Sequence, residues 1–417
     1  MKNFFSFEPK TKIVSAIDIG TSSVKGLTVM KKSDSDEIEI LSKVCLPSSG
    51  IRKGIVVEPD ELAEKVNAVL ARMEAEAERK IKEVFVNIGG GHVFSVSSKA
   101  SIVVSRADQK ISQEDIERVI DSAKAFPLQK NREIIDCFPI QFTVDEEKGI
   151  KEPLGMQGRR LEAEVLGIGV FSPYFRNLTE AVINGGAQNT SVICSSLSAA
   201  KACLTREQKE LGVVVLDIGA GTTDLAIFEE GELMHLAVLP VGSANITNDI
   251  AIGLQIDTDA AEKIKQELGK YAANPSKKAK RREKIELPGG AVSFSVKFLL
   301  KIVEARVSEI FELAQKEIKK VSSGILPAGV VITGGGANLP NIVELARKKL
   351  KLPCRIGVPD LSSGGVLDIK GQKEDPSFSV VWGLVMAGME DGKHGEVIGF
   401  EKGAGETIKK ILKVFIP

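Results

Sequence analysis

Two stretches about 200 residues apart read almost alike: IVSAIDIGTSSVKGLTV from Ile13 and VVVLDIGAGTTDLAIF from Val213. Each is a β-branched run ending in an aspartate, Asp18 or Asp217, then a turn rich in glycine and hydroxyls, then a second β-rich run. That shape predicts a β-hairpin whose turn bends around something small and highly charged. Glycine lets the backbone approach a ligand closely. Exposed amides and the hydroxyls of Thr21, Ser22, Ser23, Thr222 and Thr223 can then donate to phosphate oxygens. An aspartate would repel phosphate, so Asp18 and Asp217 would instead hold Mg²⁺ through the waters that ion retains. A lone D-I-G-T turn is ordinary. Its duplication, together with the triple glycine of VVITGGGANLP from Val330, points to nucleotide phosphates. No G-x-x-x-x-G-K-[ST] occurs, and no G-x-G-x-x-G opens a helix, so the grip would come from two facing hairpins.

A chain of 417 residues is too long for one core and should divide into roughly two to four domains. Its 56 basic and 56 acidic residues balance, which gives no argument for a nucleic-acid partner. Five scattered cysteines without a C-x-x-C read as reduced thiols. Three histidines, none at ligand spacing, argue against a protein-built zinc site. The opening MKNFFSFEPK is too short, and interrupted too soon by Glu8, to read as a signal peptide; no run of 18 apolar residues predicts a membrane span.

Paired hairpins with a G-G-G segment resemble the actin, heat-shock-70 and sugar-kinase superfamily, in which two similar lobes close over ATP. Lys25, seven residues after Asp18, resembles the lysine that actins set on the phosphates. The match is closer to one family. REIIDCFPIQFTVDEEKGIKEPLGMQGRRLEAEV (Arg132–Val165), VFVNIGGGHVFSVSS (Val84–Ser98) and LGVVVLDIGAGTTDLAIFEEGELMHLAVLPVGSANITNDIA (Leu211–Ala251) resemble the bacterial FtsA cell-division family from about Lys12 onward. The resemblance implies an α/β, two-lobed actin-like and heat-shock-70-like fold with an FtsA-type insert subdomain in the first lobe. The implied boundaries are 1–83 for the first lobe, with 166–196 and 376–398 returning to it, and 84–165 for the insert. The second lobe would span 197–375, with a small subdomain at about 252–307, followed by a linker at 399–405 and a terminal helix at 406–417.

Local patterns fill this frame. An amphipathic helix is predicted near Asp60–Ile81. Another, over Ser112–Ala125, would start in a box of Ser112 and Asp115 preceded by apolar Ile111. Strands are expected at Ile38–Leu46, Val165–Val170 and Val192–Ser195, and a helical zone at Ala260–Val321. Within that zone Phe298, Ile302, Ala305 and Leu313 form one stripe with Ile310 at its margin.

By resemblance, the first phosphate loop is Asp18, Gly20, Thr21, Ser22 and Lys25; the second is Asp217, Gly219, Gly221, Thr222 and Thr223. Asp18 and Asp217 would hold Mg²⁺ through water, and Asp217 would orient an attacking water. Gly334, Gly335, Gly336 and Ala337 would take the adenosine, with Gly242, Lys265 and Arg306 nearby. Arg306 and Glu309 read equally as a surface i, i+3 pair. Two departures stand out: Ser243 where the family often has a second glycine, and Ala220 at the middle of the second loop. No strong general base is evident, since Ser195–Ala200 offers only hydroxyls. Slow hydrolysis at best is expected, with ATP as a conformational and polymerisation ligand.

The last 13 residues, GETIKKILKVFIP, carry a second signal. On a helix, Ile408, Ile411, Leu412, Phe415 and Ile416 fall within roughly 140° of arc, with Lys409, Lys410 and Lys413 beside and opposite. A basic amphipathic helix after a tether containing Gly399, Gly403 and Gly405 has the form of an in-plane membrane anchor. Partial burial of the five apolar side chains would give ~5 kcal/mol, and each lysine near anionic lipid ~1 kcal/mol. Such a helix attaches reversibly, so a filament carrying several would hold far better. The run KKAKRREK at Lys277–Lys284 reads as a solvated loop.

The resemblance thus implies an ATP-binding, filament-forming adaptor that tethers the tubulin-like protein FtsZ at the division site, on the cytoplasmic face of the membrane, among other division proteins. The FtsZ tail would dock near Ile252–Val307. The alternatives are an actin-like pilus-assembly scaffold and, further off, a small-molecule kinase of the superfamily. The insert and the tail argue against the first, and the lack of an identifiable catalytic acid against the second.

Overall fold

The computed structural model describes residues 11–32, 38–272, 282–287, 290–321, 325–360 and 375–390. Both duplicated segments form the expected hairpins. Strand β1 (Thr11–Ile19) pairs antiparallel with β2 (Ser23–Lys32), and β2 with β3 (Ile38–Pro47). A small ribbon follows, β4 (Ile51–Arg52) with β5 (Ile55–Val56). Helix α1 (Pro59–Ala77) then begins with Pro59, Asp60 and Glu61 in its first turn, as the helix dipole favours. It buries Leu62, Val66, Val69, Leu70 and Met73, and stops four residues short of Ile81 because Glu78 turns left-handed. Strands β6 (Glu83–Ile88) and β11 (Asn189–Cys194) add in parallel beyond β1, giving the order β11-β6-β1-β2-β3.

The second lobe repeats this topology. Strands β12 (Val213–Ile218), β13 (Thr223–Glu229) and β14 (Glu232–Leu239) are antiparallel; β17 (Gly329–Thr333) and β18 (Cys354–Ile356) add in parallel, in the order β14-β13-β12-β17-β18. Every residue of β12 is buried, as expected for a central strand covered on both faces.

Between the halves lies the insert, an antiparallel sheet of β7 (Phe94–Val103), β10 (Arg160–Phe171), β8 (Arg132–Val144) and β9 (Glu147–Ile150). Helix α2 (Gln113–Ala123) covers it and carries the full capping box of Ser112 and Asp115. Two expected boundaries shift. Residues 84–88 belong to the first lobe, because β6 pairs with β1 and buries Val84, Val86 and Ile88 there. Residues 166–171 extend β10, whose Leu161, Ala163 and Val165 enter the insert core while Leu166, Ile168 and Val170 enter the first-lobe core. One strand thus joins the two units.

Helices α3 (Ser172–Asn184), α4 (Ser195–Cys203) and α5 (Arg206–Leu211) lead into the second lobe, and α6 (Ser243–Leu254), α7 (Thr258–Gln266) and α8 (Leu268–Ala272) continue it. The expected helical zone is interrupted by a hairpin, β15 (Arg282–Leu287) with β16 (Gly290–Ser295). The end of the basic run, Arg282–Lys284, therefore lies on a strand; residues 277–281 lie outside the described residues. Helix α9 (Val296–Val321) buries Leu299, Val303, Val307, Ile310, Ala314 and Ile318. The expected stripe is rotated off this seam: Phe298 is 47% exposed and Ala305 is exposed. Helices α10 (Ile342–Leu350) and α11 (Ser379–Glu390) complete the fold. α11 returns to the first lobe and crosses α4 at Gly383, where a β-carbon would stand 1.8 Å from the Ser198 carbonyl oxygen. The linker, the terminal helix and residues 391–398 lie outside the described residues.

Candidate functional site

Asp18 and Asp217 occupy equivalent places, each one residue from the end of its strand, and the two turns close alike. The Gly20 amide donates to the Ser23 carbonyl at 3.1 Å, and the Gly219 amide to the Thr222 carbonyl at 2.9 Å. The turns face and touch: a β-carbon on Gly221 would lie 2.6 Å from Thr21 Oγ1 and 2.9 Å from Lys53 Cα. The carbonyls of Gly219 and Ala220 point away, accepting the Ser243 and Ala244 amides at the start of α6, both at 2.8 Å. The amides of Thr21, Ser22, Ala220 and Gly221 engage no partner among the described residues. They are the donors that an anion nest needs.

The turns enclose a cavity of about 250 Å³, lined also by Asp18, Lys25, Asn87, Gly89, Ser195, Asp217, Asp224, Gly334 and Gly335. Lys25 Nζ reaches Asp18 Oδ2 at 3.1 Å. Burial works against the Lys25 charge, but the Asp18 carboxylate outweighs it and raises the pKa. Asp217 is pushed up to about 8, by burial first and then by Asp224 and Asp18. Asp224 is pushed up to about 7, chiefly by burial, although the Thr222 hydroxyl donates to its Oδ2 at 2.9 Å. Among the described residues its Oδ1 is buried without a partner. Three carboxylates thus line one cavity in which Lys25 pairs with Asp18 alone, an arrangement that a hard cation would relieve. The donors are all oxygen, and no group of three His, Cys, Asp or Glu among the described residues sits close enough to ligate an ion directly. The set therefore fits a Mg²⁺ held through its own waters.

The sequence reading missed Asp224 and Asn87. Asp224 pairs across the strands with Asp217 just as Lys25 pairs with Asp18, so superposing the two repeats would have found it. Asn87 carries no such signal. Its Oδ1 accepts the Ile19 amide at 2.6 Å, and its Nδ2 donates to Ser195 Oγ at 3.1 Å, fixing the first turn to the start of α4.

Several expected residues stand outside the cavity. Thr223 is fully buried and donates to the Val241 carbonyl at 2.8 Å, facing away from the cavity. Gly336 and Ala337 lie in the short turn after Gly334, where Gly336 packs on Ile218. Gly242 lets α6 approach the second loop, since a β-carbon would stand 2.5 Å from the Ala220 carbonyl oxygen. Lys265 binds Glu262 at 2.7 Å and Thr247 Oγ1 at 2.9 Å. Arg306 makes a two-pronged pair with Asp249 of α6, at 2.6 and 2.9 Å, and also meets Glu309 at 2.5 Å, so it ties helices together. The residues expected at the membrane, 408–416, lie outside the described residues.

Two like sheets whose facing hairpin turns enclose one cavity define a protein of the actin-like class. Solved structures agree in fold. The PilM-PilN type IV pilus biogenesis complex matches with a TM-score of 0.63 at 17% identity, covering 90% of this chain and 98% of that one. MreB5 of Spiroplasma citri bound to ADP matches at 0.54 and 13% identity, covering 91% and 98%. Two family descriptions fit the sequence: "Cell division protein FtsA" over residues 214–383 and "SHS2 domain inserted in FTSA" over 90–168. The cell division protein FtsA of Pseudomonas aeruginosa is 33% identical over 410 residues, 96% of each chain. That of Neisseria meningitidis is 34% identical over 386 residues, 91% of each. The chain belongs to the FtsA family of cell division proteins, with the insert this family carries in its first lobe.

Proposed function

We propose that this chain binds Mg-ATP between its lobes, assembles into filaments, and tethers FtsZ to the cytoplasmic face of the membrane at the division site. The observation that carries the reading is the pair of touching hairpin turns, whose free amides belong to residues lining the same cavity as Asp224, a carboxyl that leaves its Oδ1 without a partner among the described residues. Thr21, Ser22 and the amides of both turns would hold the phosphates, with Lys25 as their cation. Asp18 and Asp217 would hold the waters of Mg²⁺. When bound, the ion supplies the positive charge that lets Asp217 and Asp224 ionise. The fold neighbour MreB5, solved with ADP, is consistent with a nucleotide here.

Hydrolysis would be slow. Asp217 can orient a water and Asp224 can take a proton, but Lys25 is the only basic side chain among the described residues lining the cavity. Phosphoryl transfer needs more charge stabilisation than that. ATP therefore acts as a ligand for closure and polymerisation.

For FtsZ, the second lobe offers a groove of about 580 Å³ between α9 and the segment 339–348. Leu300, Val303, Leu339 and Leu345 give it an apolar floor, and on its charged rim Lys297, Lys301 and Lys348 outnumber Glu304 and Glu344 by one. Such a groove suits a short peptide with both apolar and acidic residues. The decisive experiment titrates a labelled FtsZ C-terminal peptide into the full chain. Binding that weakens in Lys301→Glu is expected; no binding by the unaltered chain would end the tether reading.

A further inference from the structure

All five cysteines are described, and only Cys45 is exposed. The other four are shielded. Burial pushes the Cys137 and Cys194 thiols up to about 12, Cys354 to about 11, and Cys203 upward as well. A buried, protonated thiol is inert toward disulfides and electrophiles. Chemistry at sulfur is thereby confined to one position.

That position is not an ordinary surface site. Cys45 lies on β3 directly across from Lys25 of β2, so the two side chains share one face of the sheet. It lines the same cavity as Asp18, Asp217 and both hairpin turns. A second observation marks the cavity as built for a ligand: Asp224, 4% exposed, lines it and leaves a buried Oδ1 without a partner among the described residues.

We propose that Cys45 is a ligand-gated modification site, at which a mixed disulfide and a bound polyphosphate exclude one another. The inference rests on the nucleotide reading of this cavity and adds redox control to it. The co-reactant is a low-molecular-weight disulfide. The Cys45 thiol gives up its proton and its sulfur attacks one sulfur of the reagent. A new S–S bond forms as the reagent's own S–S bond breaks. The released thiolate takes up a proton and leaves as a thiol. Cys45 is oxidised and the departing half is reduced. Because Cys45 is exposed yet lines a cavity of about 250 Å³ together with Lys25, the attached group would obstruct the space that phosphates need. An anionic adduct would also compete for the lysine.

The test uses the full chain with glutathione disulfide as the probe, mass mapping of the adduct, and a fluorescent ATP analogue. One adduct is expected, on Cys45, and none in Cys45→Ser. Saturating Mg-ATP should slow its formation by roughly tenfold or more. The adduct should abolish analogue binding, and dithiothreitol should restore it. Equal adduct rates with and without Mg-ATP, in a chain that binds Mg-ATP, would overturn this inference and leave the nucleotide reading standing. So would undiminished analogue binding by the modified chain. A reduced chain that binds no Mg-ATP would sink both.

Discussion

Replacing Gly221 with alanine adds one methyl group where the two lobes touch. The new β-carbon would lie 2.6 Å from Thr21 Oγ1, 2.9 Å from Lys53 Cα and 3.0 Å from Thr21 Cγ2. Thr21 could rotate, but Lys53 Cα is backbone, so the first lobe must withdraw by several tenths of an ångström. Overpacking of this kind costs about 1–3 kcal/mol. All three contacts lie in the first lobe, so the cost falls on the closed arrangement and leaves the second lobe's own packing intact. If phosphate binding needs both turns, the whole cost appears in binding, a loss of about 5- to 150-fold in affinity. Calorimetric titration of Mg-ATP should report it, with far-ultraviolet circular dichroism unchanged. Gly91→Ala is the control, because its β-carbon meets nothing within 4 Å. Unaltered affinity in Gly221→Ala would refute the two-turn clamp. A large fall in melting temperature would instead say that the clash is absorbed by unfolding.

Three further outcomes are expected. Asp224→Asn removes a carboxyl whose pKa burial raises to about 7 from 3.8. The folded acid keeps its proton where the unfolded one loses it, so stability falls as pH climbs through that window. At pH 8 the variant without nucleotide should therefore melt a few degrees higher; a lower melting temperature would contradict the electrostatics. His92 packs edge-on against Tyr174 with ring centroids 5.2 Å apart, has no partner for either ring nitrogen among the described residues, and is pushed by burial down to about 4 from 6.5. The unfolded chain takes up a proton below 6.5 that the folded chain refuses, so His92→Phe should flatten the loss of stability between pH 6.5 and 4 by at most about 3 kcal/mol, read from urea unfolding at several pH values. Finally, the full chain should pellet with anionic vesicles and a version ending at Gly403 should stay in solution; equal pelleting would remove the terminal helix as the anchor.

Short-range pattern carried much of this fold. Alternation and turn glycines were enough to locate both hairpins. Ser112, Asp115 and Ile111 were enough to start α2, because a cap depends on residues three apart. The two facing turns were legible because duplication repeats the same local chemistry twice. The face that α9 buries was not. Apolar residues lie around much of that helix, and the neighbours α6 and α10, distant in sequence, selected the seam through Leu299, Val303 and Val307. Thr223 and Thr222 are adjacent and chemically alike, yet strand alternation turns one to Val241 and the other toward Asp224. Arg306 looked available for a ligand until folding brought Asp249, 57 positions away, within hydrogen-bond reach. By itself the sequence determined which elements form and what chemistry the turns carry, since both follow from nearest neighbours along the chain. Only the tertiary structure decided which side chains face the cavity, because that choice is made by burial and by partners the chain meets after it has folded.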